Sequence, residues 1–259
     1  MSLRRRWRML GLLLVVVIVP VFTSTAWAQG KYKTLHRFEG SGPDGYALPG
    51  GLIFDQSGNL YGTTAFGGAK LQGTVFELIP QSNGGWAAKV LHSFTGGSDG
   101  GGPVTTLIFD RAGNLYGTAQ LGGIYSAGVV FKLAPNQDGS WTESILHSFG
   151  AGSDGSLPTD GLVFDQAGNL YSTTLEGGST FCRDGCGTVF KLAANSDGSW
   201  TESVLHSFCL VDGCRDGANP FGDLIFDQAG NLYGTTSGGG ELSQCYGTGC
   251  GLVFQLMPM

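Results

Sequence analysis

Charge is scarce in this chain of 259 residues: 14 basic and 20 acidic side chains make up 13% of it. Basic residues are scarcest where a polyanion would need them. Arg4, Arg5, Arg6 and Arg8 all lie at the extreme N-terminus, and without them 10 basic residues face 20 acidic ones. A nucleic-acid binder needs a basic footprint to displace counterions from phosphates, so nucleic acid is excluded as a partner. Anionic membrane surfaces are disfavoured for the same reason. Histidine occurs only four times, no His-Glu-x-x-His pair is present, and no cysteine has the setting of a nucleophile. No catalytic residue, metal site or resident cofactor is therefore assigned, and the balance leans away from an enzyme. Long apolar runs are missing too. The segment from Met9 to Phe22 is shorter than the about 20 residues that a membrane helix requires. It follows the arginines and precedes Ala26-Trp27-Ala28, the three-part layout of a secretory signal. Residues 1–28 read as a signal peptide, and no membrane span is expected after its cleavage.

Glycine, by contrast, is abundant: 46 residues, with 9 prolines, which makes the chain rich in turns. It is also repetitive. "FDQSGNLYGTT", "FDRAGNLYGTA", "FDQAGNLYSTT" and "FDQAGNLYGTT" place Asn59, Asn114, Asn169 and Asn231 at successive intervals of 55, 55 and 62 residues. Each copy is followed by a "GTVFKL"-like segment. After the first three come a tryptophan-led stretch ending in "LHSF" and a glycine-rich loop with Asp-Gly and proline.

β-branched and aromatic residues alternate between the turn clusters, so each unit reads as four short strands. They are A ("GLIFD"), B ("NLYGTT"), C ("GTVFKL") and D ("WTESVLHSF"). Asp-x-x-Gly-Asn between A and B is a tight hairpin, its aspartate capping backbone amides. Four antiparallel strands repeated about an axis predict an all-β, four-bladed β-propeller spanning residues 29–259. The mature chain opens with a lone D-like segment, "KYKTLHRF", and ends on a C strand, so the N-terminal strand is expected to close the last blade.

The pattern "FDxxGNLYGTT…GG…GTVFKL…LHSF" resembles the GloVer (Gloeobacter–Verrucomicrobia) tandem repeat over about residues 31–257, and its Asp-x-x-Gly-Asn-Leu-Tyr hairpin is similar to NHL-type and gluconolactonase-type propellers. The resemblance implies an exported bacterial repeat protein, periplasmic or extracellular, often tethered by a C-terminal anchor. It implies no activity. This chain ends at "FQLMPM" with no apolar tail or sorting motif.

Length varies in only some of the connections. From the glycine opening strand C to the "LHSF" leucine is 18 residues in every complete unit, whereas the B–C loops differ by up to six and the D–A loops by up to three. In an up-and-down blade those two loop sets share one face, and variable loops on a rigid scaffold are where binding usually resides. The cysteines fall there: Cys182 and Cys186, Cys209 and Cys214, Cys245 and Cys250. In an exported chain they predict three local disulfides, each stapling its own loop for roughly 2 kcal/mol, with pairing across neighbouring loops and a zinc site as the alternatives. On the same face Asp44, Asp99, Asp154 and Asp216 open Asp-Gly steps, as turn formers or, if they gather at a channel mouth, as acid–base groups or calcium ligands. Tyr46, Phe66, Tyr125, Phe181, Phe221 and Tyr246 could stack on a sugar ring or anchor a partner. The inner strands add only Asp160 and Asp223. His36, His92, His147 and His206 lie on strand D, roughly 14 Å outward from strand A at three strand spacings, and are expected to be packed and hydrogen-bonded rather than metal-binding. The sequence thus points to an exported binding or interaction module, with carbohydrate as the candidate ligand. The alternatives are a carbohydrate-active or other hydrolase or lyase using the channel-mouth acids, and a purely structural envelope protein.

Overall fold

The computed structural model describes residues 30–40, 42–150, 153–241, 243 and 249–257. Leu35–Met259 forms one compact unit, and the signal peptide lies outside the described residues. The larger unit is all-β, with four four-stranded antiparallel sheets. The first holds β1 (Ile53–Phe54), β2 (Leu60–Thr64), β3 (Thr74–Pro80) and β4 (Trp86–Ser93). The second holds β5 (Ile108–Phe109), β6 (Leu115–Ala119), β7 (Val129–Pro135) and β8 (Trp141–Ser148). The third holds β9 (Val163–Phe164), β10 (Leu170–Thr174), β11 (Thr188–Ala194) and β12 (Trp200–Ser207). The fourth holds β13 (Ala218–Pro220), β14 (Ile225–Phe226), β15 (Leu232–Gly238) and β16 (Leu252–Leu256). In the first three units the strands pair in sequence order, as four successive hairpin partners should.

The repeated aspartate is what turns the first hairpin. Asp55 Oδ1 accepts the amides of Ser57 and Asn59, both at 2.8 Å, while its Oδ2 accepts Asn59 Nδ2 (2.9 Å) and the Tyr61 hydroxyl (3.1 Å). Asp110, Asp165 and Asp227 repeat the pattern. Partial burial works against these carboxylates, yet the bonds from the asparagine, tyrosine and amides hold Asp55, Asp110 and Asp165 below the usual range. The fourth strand carries a different device. Val75 faces His92 but Phe76 faces Val90, so Leu91 is an extra residue, a β-bulge that recurs at Leu146 and Leu205. Just past the bulge the histidine lies edge-on against the phenylalanine two residues later, 4.6 Å from Phe94 in the first unit, and that phenylalanine packs outside its own sheet.

The core therefore lies between units. Phe94 is fully buried edge-on against Phe131 of the next unit at 5.1 Å, and Phe149 on Phe190 (5.0 Å) and Phe208 on Phe254 (5.2 Å) repeat the contact. Nearer the hairpin end, Tyr61 meets Phe109, Tyr116 meets Phe164 and Tyr171 meets Phe226, each ring pair perpendicular at about 5 Å. Burying one such phenylalanine removes enough apolar surface to be worth about 2–3 kcal/mol.

The fourth sheet departs from the expected closure. β13 and β14 both pair with β15, so they are two halves of one strand position, and β16 flanks β15 on the other side. Among the described residues β16 has no further strand partner, and residues 35–39 carry no strand. Leu35 and Phe38 find their apolar partners elsewhere. They pack on Leu60, Phe76, Leu78 and Trp86 of the first unit, with Phe38 edge-on to Phe76 at 4.8 Å. The lone D-like segment takes the side-chain position of a strand D without its backbone pairing.

Units are also keyed by glycine. Gly187 opens β11 at φ +89°, and a Cβ there would collide with Pro220 of the following unit and with the Thr174 carbonyl. Gly198, at φ +85° in the hairpin before β12, has open space around it. Gly198→Ala should cost only the left-handed strain, about 1 kcal/mol, whereas Gly187→Ala adds a steric clash and should cost at least about twice that. Chemical denaturation of the two variants checks the difference; equal losses would remove the keying role of Gly187.

Candidate functional site

The starts of the first strands converge. Backbone and hydroxyl groups stitch each start to the next unit: Gly51 N donates to Thr106 Oγ1 (2.8 Å), Thr63 Oγ1 to the Thr105 carbonyl (3.2 Å), and Thr118 Oγ1 to the Asp160 carbonyl (3.3 Å). Between them opens a cavity of about 440 Å³ that all four units line, through Pro49 and Gly50, Val104 to Thr106, Thr159 and Gly161, and Phe221 to Asp223, with Gln120 at one side. Its lining combines three threonines, Gln120 and Asp223 with Pro49, Val104, three glycines and one aromatic ring, Phe221, which is 62% exposed. That mixture suits a small, neutral, hydroxyl-rich ligand.

The two acids of the inner strands meet at the junction of the third and fourth units. Gly222 N donates to Asp160 Oδ1 at 2.9 Å while Thr173 Oγ1 donates to Asp160 Oδ2, and Gly161 N donates to Asp223 Oδ1 at 2.7 Å. Burial, reinforced by the charge of Asp223, pushes the Asp160 carboxyl above its ordinary range despite those bonds. Both Asp160 oxygens are engaged, Oδ1 across the junction to Gly222 and Oδ2 within its own unit to Thr173, and only Asp223 of the pair lines the cavity.

The four loop aspartates do not gather there. Each lies beside the histidine of its own "LHSF"-type segment: Asp44 by His36 (2.7 Å), Asp154 by His147 (3.0 Å) and Asp216 by His206 (3.2 Å), with Asp99 farther from His92 at 3.6 Å. Asp99 also accepts the Thr95 amide at 2.8 Å. At the junction of the first two units a third group joins them, Glu143 from β8, whose Oε1 lies 3.3 Å from His92 Nε2. The His92, Asp99 and Glu143 donor atoms lie within 4.8 Å of one another. One imidazole and two carboxylates would suit a transition metal better than calcium, which takes six to eight oxygens.

The aromatics are dispersed. Tyr46 stacks on Phe66 at 5.5 Å in the first unit. Tyr125 is exposed beside a groove lined by Asp99, Ile124 and Glu143; Phe181 is exposed on its own loop; Tyr246 lies outside the described residues. Of the five that are described, only Phe221 lines the cavity. The cysteines pair locally as expected, Cys182 with Cys186 and Cys209 with Cys214. Cys245, needed for the third predicted pair with Cys250, lies outside the described residues. The two bridges come together, with Cys182 and Cys209 sulfurs 3.8 Å apart, and pack with Val189, Phe208 and Leu224 in the core between the third and fourth units. Four sulfurs so close would suit zinc if reduced, but here they are bonded to one another.

The stacking of near-identical units on repeated hairpin aspartates agrees with a family profile, the Gloeobacter/Verrucomicrobia repeat, which matches residues 20–250. The chain belongs to that repeat family. No curated protein matches it. Two solved structures are similar at the level of coarse shape. One is a protein of unknown function from Dyadobacter fermentans, at 11% identity and TM-score 0.44, covering 75% of this chain. This chain spans 63% of that protein's length. The other, from Thermus thermophilus, is described as a putative oxidoreductase (glucose dehydrogenase), at 14% identity and TM-score 0.33, covering 88% of this chain and 89% of its own.

Within this family member, sequence reasoning passed over two things. Gly96-Gly97-Ser98-Asp99-Gly100 has the spacing of a nucleophile elbow, but it forms the loop between β4 and β5 with no helix after it, so it is a turn. The glutamate beside His92 was missed as well. Glu143 comes from strand D of the following unit, with Glu202 at the matching place near Asp154, and the only signal was "WTES" in the second and third units against "WAAK" in the first. Burial, then the charge of Asp99, pushes Glu143 up to about 8, and burial, then Asp154, pushes Glu202 up to about 7. Burial also lowers His92. A carboxyl raised in the folded state stabilises the fold fully below its unfolded pKa, and the contribution fades as pH climbs toward the folded value. Between about pH 5 and 8 these two glutamates should therefore make stability fall with rising pH. Thermal unfolding across that range checks it: Glu143→Gln with Glu202→Gln should flatten the slope and raise stability at about pH 8. An unchanged slope would mean that both carboxylates titrate normally.

Proposed function

We propose that this chain is an exported binding module, built as a propeller-type stack of units, that takes a saccharide or similar polyhydroxylated ligand at the cavity between the first strands. One observation carries the reading: all four units present the start of a first strand to a single cavity, whose lining combines an exposed phenylalanine with threonines, a glutamine and an aspartate. An aromatic face for the apolar side of a sugar ring and polar groups for its hydroxyls form a binding chemistry that needs no cofactor. The cavity opens among the D–A loop ends, the face where loop length varies, which fits ligand selection by loops on a fixed frame. Two disulfides and, among the described residues, no helix long and apolar enough to cross a membrane support export.

A glycan array with the mature protein, followed by calorimetry on any hit, tests the proposal. Phe221→Ala should weaken binding tenfold or more, the size expected on losing about 1.4 kcal/mol of stacking. An array with no saccharide bound, or a hit indifferent to Phe221, would refute the saccharide reading.

A further inference from the structure

At each internal junction the same four positions meet. One unit offers the tyrosine of its second strand and the valine of its third; the next offers the leucine and phenylalanine of its first. Val75, Val130 and Val189 are completely buried, and Leu107, Leu162 and Leu224 are buried opposite them. The two ends of the stack carry the same residues with nothing against them. Val253, the fourth valine, is 76% exposed, while Leu52 and Phe54, the first unit's leucine and phenylalanine, are 50% and 65% exposed. The aromatic contacts stop there as well: Tyr61, Tyr116 and Tyr171 each meet a phenylalanine of the next unit, and among the described residues Tyr233 meets none. Beside Val253 runs the outer edge of β16, unpaired among the described residues, and unpaired strand edges recruit a partner.

We propose that a second copy of this chain occupies both ends, head to tail. Phe54 of one copy packs on Tyr233 and Val253 of the other, and residues 35–38 line up along the outer edge of β16. Leu35 and Phe38 already sit on the first unit in the manner of Leu91 and Phe94 at an internal junction, with only the backbone pairing missing. The occupant is another copy because the seam continues an interface that the chain makes three times internally, and because a single copy leaves both faces open rather than meeting itself. The faces complement each other and not themselves, so the contact is heterologous. Repeated once about a two-fold axis, it closes with two identical seams.

Light scattering of the mature protein at micromolar concentration, combined with two single variants, tests this. The wild type should have twice the chain mass. Phe54→Asp and Val253→Asp should each be monomers with unchanged circular dichroism, since both residues are exposed in one copy; Phe54→Ser and Val253→Ser stand in should either charge disturb folding. The decisive arm is an equimolar mixture of the two variants. It should recover dimers, because one damaged face of each kind leaves one intact seam. A monomeric wild type, as expected if the chain closes on itself or if further repeats of a longer chain cover these faces, would overturn the proposal. So would a Val253 variant as dimeric as the wild type, or a mixture that stays monomeric.

Discussion

Everything in this molecule depends on a phenylalanine that leaves its own sheet. A unit of four short strands has too little surface to bury its aromatic side chains alone, and the bulge in the fourth strand resolves this by exporting Phe94, Phe149 and Phe208 to the next unit. Stability is then largely a property of junctions, summed over neighbours as in other repeat architectures. Hairpin aspartates, positive-φ glycines and inner-strand threonines all hold strands at the angle and height that this wedge requires.

The junctions share that wedge but differ in what reinforces it. Between the first and second units the half-buried Glu143 leans on His92 and Asp99 of the preceding unit, and between the second and third the half-buried Glu202 lies within reach of the charge of Asp154. Between the third and fourth, paired disulfides and the reciprocal Asp160 and Asp223 contacts do the work. The inserted loops therefore serve the frame as well as the loop face: Cys186, Cys209 and Cys214 are core residues of that last junction.

Local features were legible in the sequence because local rules govern them. The Asp-x-x-Gly-Asn hairpins, the four-strand units and the Cys182–Cys186 and Cys209–Cys214 bridges follow from neighbours in the chain, and the packed histidines follow from their place on strand D. What was hidden arises between units. Glu143 lies about fifty residues from the histidine it touches, and no motif joins them. The role of residues 35–38 was half visible: their spacing and side chains match a strand D, but backbone pairing depends on whether β16 comes within reach, which no local pattern encodes. Asp160 and Asp223 stood out as the only inner-strand acids ahead of the hairpin aspartates, yet the amide each accepts from beside the other depends on the offset between two units.

The bulge also accounts for where the repeats vary. With a period of two along a strand, adding or removing one residue between Gly73 and Leu91, or at the matching places, would turn the histidine and phenylalanine toward the wrong side. The wedge is thus phase-locked to the glycine that opens strand C. Growth is left to the loops, which sit outside that lock, so the chain can diversify its rim without re-timing its frame.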